Sequence, residues 1–288
     1  MDQLPTTNYQ RPFLQIIVWL GIMAVLTLLA MGIWYVACGG SQSTESLKWL
    51  QLLQTCGTFL LPPIVCAWMW SADRKPFDWL HLNRGLSWQM ALLAIATMVC
   101  ALPAINLVAD LNSRIVLPES LAGLEQWLQQ MEETAAQLTE RFLQADNVGT
   151  MLINVGLLAL LPAIAEELSF RGTLQQIMAN GERTNGRIHV AIWVTAIVFS
   201  AIHMQFYGFV PRMLMGAMFG YVFVWTGILW APILMHFTNN GIAVVTYYLM
   251  DDTKMGESWA DTIGAGPMWW LGVLSFIAVG GLLYYLRK

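Results

Sequence analysis

Residues Met213 to Met250 read MLMGAMFGYVFVWTGILWAPILMHFTNNGIAVVTYYLM, 38 residues in which His236 is the sole side chain among Asp, Glu, Lys, Arg and His. As one α-helix this run would measure about 57 Å, nearly twice the ~30 Å of a bilayer's hydrocarbon. It must therefore turn, and Thr226-Gly227 or Ala231-Pro232 supplies the breaker. A charge-free stretch that is too long for one crossing reads as two membrane helices. The rest of the chain reads the same way.

Of the 288 residues, 57% are hydrophobic and 11% charged, against about 25% charged in a soluble domain. The mean hydropathy is +0.56. With a net charge of −4 there is no basic face for nucleic acid. Cys38, Cys56, Cys66 and Cys100 show no C-x-x-C spacing and read as free thiols in apolar surroundings. Disorder, a disulfide scaffold and a nucleic-acid partner are thereby set aside. The expected class is all-α, a polytopic membrane helix bundle.

Other spans follow from the same rule of about 20 apolar residues per crossing. Phe13–Ala37 carries no charge over 25 residues, longer than the ~7–15 of a cleavable signal core, and is read as a retained span. Trp49–Trp70, Gly85–Ala109, Val148–Ala165, Ile188–Val210 and Thr262–Leu286 add five more. With the divided run, about eight transmembrane helices are expected. Basic residues test the count. Arg11, the Arg74/Lys75/Arg84 group, Arg183 with Arg187, and Arg287-Lys288 all fall on one side if there are eight crossings. Both termini are then cytoplasmic, in a bacterial cytoplasmic membrane. Leu111–Asn147 and the acidic loop 251–261 fall on the other side. Within 111–147, Leu121, Leu124, Trp127, Leu128, Met131, Ala135, Leu138 and Phe142 form one apolar helical face. A lid, a helix lying on the membrane and a connector packed on the bundle all suit that pattern. Three units are expected: 1–147, with N-terminal spans and the amphipathic segment; 148–250, a four-helix core; and 251–288, an acidic loop and a last span.

A charge at mid-membrane costs about 2.5–3.5 kcal/mol on insertion scales, so it needs a reason. Glu166, Glu167 and Arg171 lie together in the fourth span. Glu167 and Arg171, four apart, share a face and can pair, whereas Glu166 is rotated by about 100° and lacks a local cation. His203 closes the fifth span with Phe199 one turn before it. His236 and Asn240 project together from the seventh. His81 and His189 read as interfacial residues, Asn106 and Asp110 as solvated ones. A carboxylate, two imidazoles and a carboxamide suffice to activate water and stabilise an oxyanion, or to hold zinc with an open position. Singly, each also reads as interhelical hydrogen-bond glue.

The joint pattern resembles the CPBP family, the CAAX protease and bacteriocin-processing intramembrane proteases. Glu166-Glu167-Leu168-Ser169-Phe170-Arg171 matches its E-E-x-x-x-R, Phe199 to His203 its F-x-x-x-H, and His236 to Asn240 its H-x-x-x-N. Thr226-Gly227 with Trp230 also fits the surrounding text. The resemblance covers roughly Val148 to Met250. It implies an endopeptidase acting on a membrane-associated peptide or protein, with its site among the four core helices. Glu166, assisted by His203, would be the base that activates water, and His236 and Asn240 would stabilise the oxyanion. Glu167, Arg171 and Phe199 would support the site. The family is called a metalloprotease, which would place Zn²⁺ on Glu166, His203 and His236, although a metal-free route with Glu166 as base is also argued for it. No H-E-x-x-H is present. Two other readings of the residues are a non-catalytic scaffold that binds a partner membrane protein and a proton-coupled transporter, the latter without the two-half symmetry common in carriers. Straight helices would put His203 near the outer end of its span and His236 near the inner end of its own. One helix must therefore be broken, tilted or short.

Overall fold

The structure, a computed structural model, describes residues 11–71, 74–180, 186–250 and 262–287. Arg183, the acidic loop 251–261 and Lys288 lie outside the described residues. Among the described residues all regular structure is helical. Six helices are long and apolar enough to cross a membrane, the make-up of an integral membrane protein. They are α1 (Pro12–Cys38), α2 (Thr44–Trp70), α3 (Trp88–Ser113), α5 (Val148–Ala179), α7 (Phe209–Thr226) and the last, Gly266–Arg287, of which Trp269–Arg287 is α9. Between α3 and α5 runs the amphipathic α4 (Ala122–Leu143). Two further helices, α6 (Gly186–Ala201) and α8 (Trp230–Leu249), are not among the six, so eight crossings exceed what helix length and composition carry. The first is apolar but has 16 residues. The second has 20 residues, and His236, Asn239 and Asn240 lower its hydropathy.

Local sequence explains the ends. Ser43, Ser87 and Asn147 cap α2, α3 and α5 by accepting a backbone N–H from the first turn. The long apolar run breaks at Gly227, whose φ of 67° is left-handed. Pro232 then falls in the first turn of α8, where proline is tolerated. Three boundaries differ most from expectation. The second span begins at Thr44 and includes Glu45 and Lys48, the fourth continues past Ala165 to Ala179, and the fifth stops at Ala201, short of Val210. Lys48 is accommodated because its Nζ donates to Asn154 Oδ1 at 2.7 Å.

The helix α5 is central, packed by α2, α6, α7 and α8, with α3 behind α7 and α8 and α9 against α3. One core joins Trp19, Cys66, Phe170, Leu174 and Phe199. Another fills the space between α3, α7 and α8 with Met98, Phe219, Val222 and Met235. The four cysteines are free thiols. Helix α4 is tied to the bundle at a few points: Phe142 is buried, Arg141 donates to Thr44 Oγ1 and the Gln42 carbonyl, and Glu132 accepts the Tyr207 N–H, while Leu121, Leu124, Trp127 and Leu138 stay exposed. The polar residues assigned to borders or solvent do have partners. His189 Nδ1 meets the Tyr221 hydroxyl at 2.9 Å, and His81 stands edge-on to Phe223. Asn106 donates to the Ile263 carbonyl, and Asp110 pairs with Arg114.

Candidate active site

The two glutamates lie one turn before a π-helical turn, Phe170–Gln175, in α5. Such wide turns rotate the helix phase locally and often accompany functional sites. This one carries Arg171, whose Nη1 donates to Glu167 Oε1 at 2.7 Å and whose Nη2 donates to the Gly216 carbonyl at 2.8 Å. The pair is wholly buried. Phe199 and Phe219 cover the guanidinium, 4.6 and 5.4 Å from its carbon to their ring centres. One turn further on, Gln175 donates to the Gly220 carbonyl at 3.2 Å. The glycines permit this close approach of α5 and α7. A Cβ at Gly216 would lie 3.1 Å from Arg171 Nη2, and one at Gly220 would lie 2.6 Å from Gln175 Oε1.

Glu167 accepts a second bond, from His236 Nδ1 at 2.9 Å. A carboxylate already paired with arginine cannot donate, so the proton of that bond sits on Nδ1. His203 is fixed in the same sense: its Nδ1 meets the Phe199 carbonyl at 2.8 Å, and a carbonyl only accepts. Whenever either imidazole is neutral, its Nε2 is therefore the bare acceptor. Both Nε2 atoms face one oxygen, Glu166 Oε2, at 4.0 Å from His203 and 3.9 Å from His236. That oxygen is buried and has no hydrogen-bond partner among the described residues. Phe199 packs edge-on against both rings, at 5.2 and 5.9 Å between centroids, and Phe219 stacks on His236.

Helix lengths resolve the mismatch in depth. With 16 residues α6 is about 24 Å long, less than the ~30 Å hydrocarbon, so His203 follows a short helix and reaches the level of Glu166. Its loop is held from three sides. Asn112 donates to the Phe206 and Tyr207 carbonyls and accepts the Val210 N–H, Glu132 accepts the Tyr207 N–H, and Ser200 bonds the Phe209 carbonyl. Of the residues singled out in the sequence, Glu166, Glu167, Arg171, Phe199, His203 and His236 converge. Asn240 follows His236 by one turn, and its Oδ1 accepts the Asn239 amide at 3.1 Å. Sequence reasoning missed Gly216, Gly220, Gln175 and Asn112. The i, i+4 repeat of Arg171/Gln175 opposite Gly216/Gly220 was the one available signal.

For zinc, the donor types are suitable but the arrangement is not. Among the described residues no three His, Cys, Asp or Glu side chains are placed to hold a metal ion. The separations of 3.9 and 4.0 Å exceed the ~3.3 Å between donors that tetrahedral zinc bond lengths set.

A family model described as type II CAAX prenyl endopeptidase Rce1-like matches residues 148–242, which contain all seven motif residues. The chain carries a domain of this family. That Rce1-like domain comprises α5 to most of α8, the helices that build the cluster. Over 89 residues the chain is 31% identical to an uncharacterized protein of Bacillus subtilis (strain 168), YpbD, an alignment covering 30% of this chain and 41% of the relative. The match thus spans less than half of that relative's length. No solved structure matches the chain.

Proposed function

We propose that the protein is an intramembrane endopeptidase that hydrolyses a peptide bond of a membrane-associated peptide or protein, with Glu166 as general base. The observation that carries this reading is the unpartnered Glu166 Oε2, buried and flanked by two imidazole Nε2 atoms at 3.9 and 4.0 Å. Atoms about 4 Å apart can share one water, each at about 2.8 Å from its oxygen. Such a water gives a proton to Glu166 while His203 Nε2 accepts its second hydrogen and aims its lone pair. Its oxygen bonds to the scissile carbonyl carbon, and the π pair moves onto the carbonyl oxygen. Asn240 Nδ2, and His236 Nε2 when that ring is protonated, stabilise the oxyanion. Glu166 then returns the proton to the amide nitrogen, the carbonyl re-forms, the C–N bond breaks and the amine leaves. Glu167 holds His236 in one tautomer, and Arg171 balances Glu167.

The spans α6 and α8 complete eight crossings in this reading. Both termini are cytoplasmic, residues 148–250 are the catalytic core, and the flanking units are its membrane scaffold. Zinc on Glu166, His203 and His236 would require these side chains to draw closer than they stand here, so it is kept apart from this proposal and no step runs through it. Stoichiometric zinc by elemental analysis, with activity lost on chelation, supports it, and full activity in metal-free protein dismisses it.

The direct test is an N-terminomic comparison of membranes containing wild-type and Glu166→Gln protein. Peptides with new N-termini that vanish with the substitution are expected. Identical sets would overturn the peptidase and favour a scaffold.

A further inference from the structure

We propose that Asn112 is a positioning residue for His203, setting the loop that carries this histidine from a helix outside the Rce1-like domain. The inference rests on the peptidase reading above.

His203 lies past the end of α6 at Ala201 and before α7 begins at Phe209, so no helix fixes its backbone. The Phe199 carbonyl orients its ring but not the chain that bears it. Met204, the next residue, has a φ of 55°, in the left-handed region that side chains with a Cβ seldom occupy. Such strain persists where the surroundings over-determine it. Here the holding comes from α3. Asn112 is buried, and its Nδ2 donates to the Phe206 carbonyl at 3.0 Å and the Tyr207 carbonyl at 2.8 Å. Its Oδ1 accepts the Val210 N–H at 3.2 Å. One orientation of the amide satisfies two carbonyls and an N–H, and the other does not. Gly208, at the N-cap of α7, has no side chain to accept a first-turn N–H, so Asn112 supplies that cap from another helix. A single side chain thus locks the far end of the His203 loop to the start of α7.

The matched domain begins at residue 148. It contains the loop but not the amide that holds it. Glu132 and Ser200 also bond this segment, each through one hydrogen bond, whereas Asn112 makes three. Position matters because His203 Nε2 stands 4.0 Å from Glu166 Oε2, a gap that one shared water bridges at about 2.8 Å from each. Drift of about 1 Å opens that gap, and a misplacement of this size costs as much as about 10²-fold in rate.

The test uses purified full-length protein in detergent micelles. Its probe is an internally quenched peptide spanning a cleavage site that disappears in Glu166→Gln membranes. Asn112→Leu, which removes all three bonds at similar volume, is expected to lower kcat about 10- to 10²-fold, with KM changed less than about threefold. Asn112→Asp is isosteric, keeps the acceptor for Val210 and loses the donating amide, and it carries the same expectation where the Leu variant does not fold. In His203→Gln protein, Asn112→Leu should cost less than about a further threefold, because the residue through which it acts is already gone. Asn106→Leu breaks another amide bond of α3, to the Ile263 carbonyl, and should keep the wild-type kcat. Wild-type kcat in the Asn112 variants overturns the proposal, as does a rise in KM alone. A loss that multiplies in full onto His203→Gln, or an equal loss in Asn106→Leu, also overturns it, because either marks a general structural role. If no cleavage depends on Glu166, the peptidase reading fails and takes this inference with it. Full activity of Asn112→Leu on a Glu166-dependent peptide overturns this inference alone.

Discussion

Two helix seams in this protein are built from the same materials and end differently. Where α3 meets α9, Pro103 interrupts the α3 backbone. Ser275 Oγ enters the gap, accepting the Ala104 N–H and donating to the Cys100 carbonyl. Those are the two groups that an unbroken helix would have joined to each other. Glycines 264 and 272 bring the chains so close that a Cβ would lie 2.1 Å from the Pro103 oxygen or 2.6 Å from Leu107 Cβ. Where α5 meets α7, glycines again allow close approach, and Arg171 and Gln175 again bond backbone carbonyls. Here, however, Glu166 Oε2, Glu167 Oε2, Arg171 Nε and Gln175 Oε1 are buried without partners among the described residues. The first seam returns what the kink removed. The second keeps polar capacity in reserve, as the proposed catalytic role requires.

That contrast can be broken by substitution. The largest effect is expected at Arg171→Met, which strands Glu167 and removes a guanidinium packed between two rings. Breaking such a buried pair costs about 3–5 kcal/mol, so thermal unfolding in micelles should shift down and activity should fall with it. His203→Gln should leave Tm nearly unchanged and lower kcat about 10²-fold, the scale of general acid–base help. An equal fall in Tm would move His203 to the structural side of the comparison. Gly220→Ala places a methyl 2.6 Å from Gln175 Oε1 and 2.9 Å from Ile192, an overpacking worth about 1–3 kcal/mol. The smallest effect belongs to the repaired seam. Ser275→Ala should cost about 1 kcal/mol, since membrane hydrogen bonds are modest, with kcat untouched. Loss of turnover there at constant Tm would erase the distinction between the seams.

Much of this was legible in the residues. The run 213–250 had to break, and it breaks at Gly227. The spacing of Glu167 and Arg171 placed them on one face, and they are paired at 2.7 Å. Glu166 was expected to point elsewhere, and its carboxylate does face the two imidazoles. The remainder was hidden for physical reasons. A π turn has no distinct composition, so the phase of α5 beyond Phe170 could not be counted from 3.6 residues per turn. The end of α6 at Ala201 is set by a loop held through Asn112 and Glu132 from distant helices, contacts that apolar periodicity does not encode. Lys48, which looked like the edge of a span, sits inside α2 because Asn154 accepts its ammonium. The second bond of Glu167, to His236 rather than to its own helix, is a tertiary choice.

The central claim is that Glu166 is the base and carries no structural load. Turnover and thermal unfolding of purified Glu166→Gln protein, measured on one preparation with a Glu166-responsive peptide, test it together. The account predicts a kcat lower by at least about 10³-fold, with Tm equal to or above that of the wild type because a buried unpaired charge has been removed. Cleavage at the wild-type rate, or a loss of activity matched by a collapse of Tm, would contradict it.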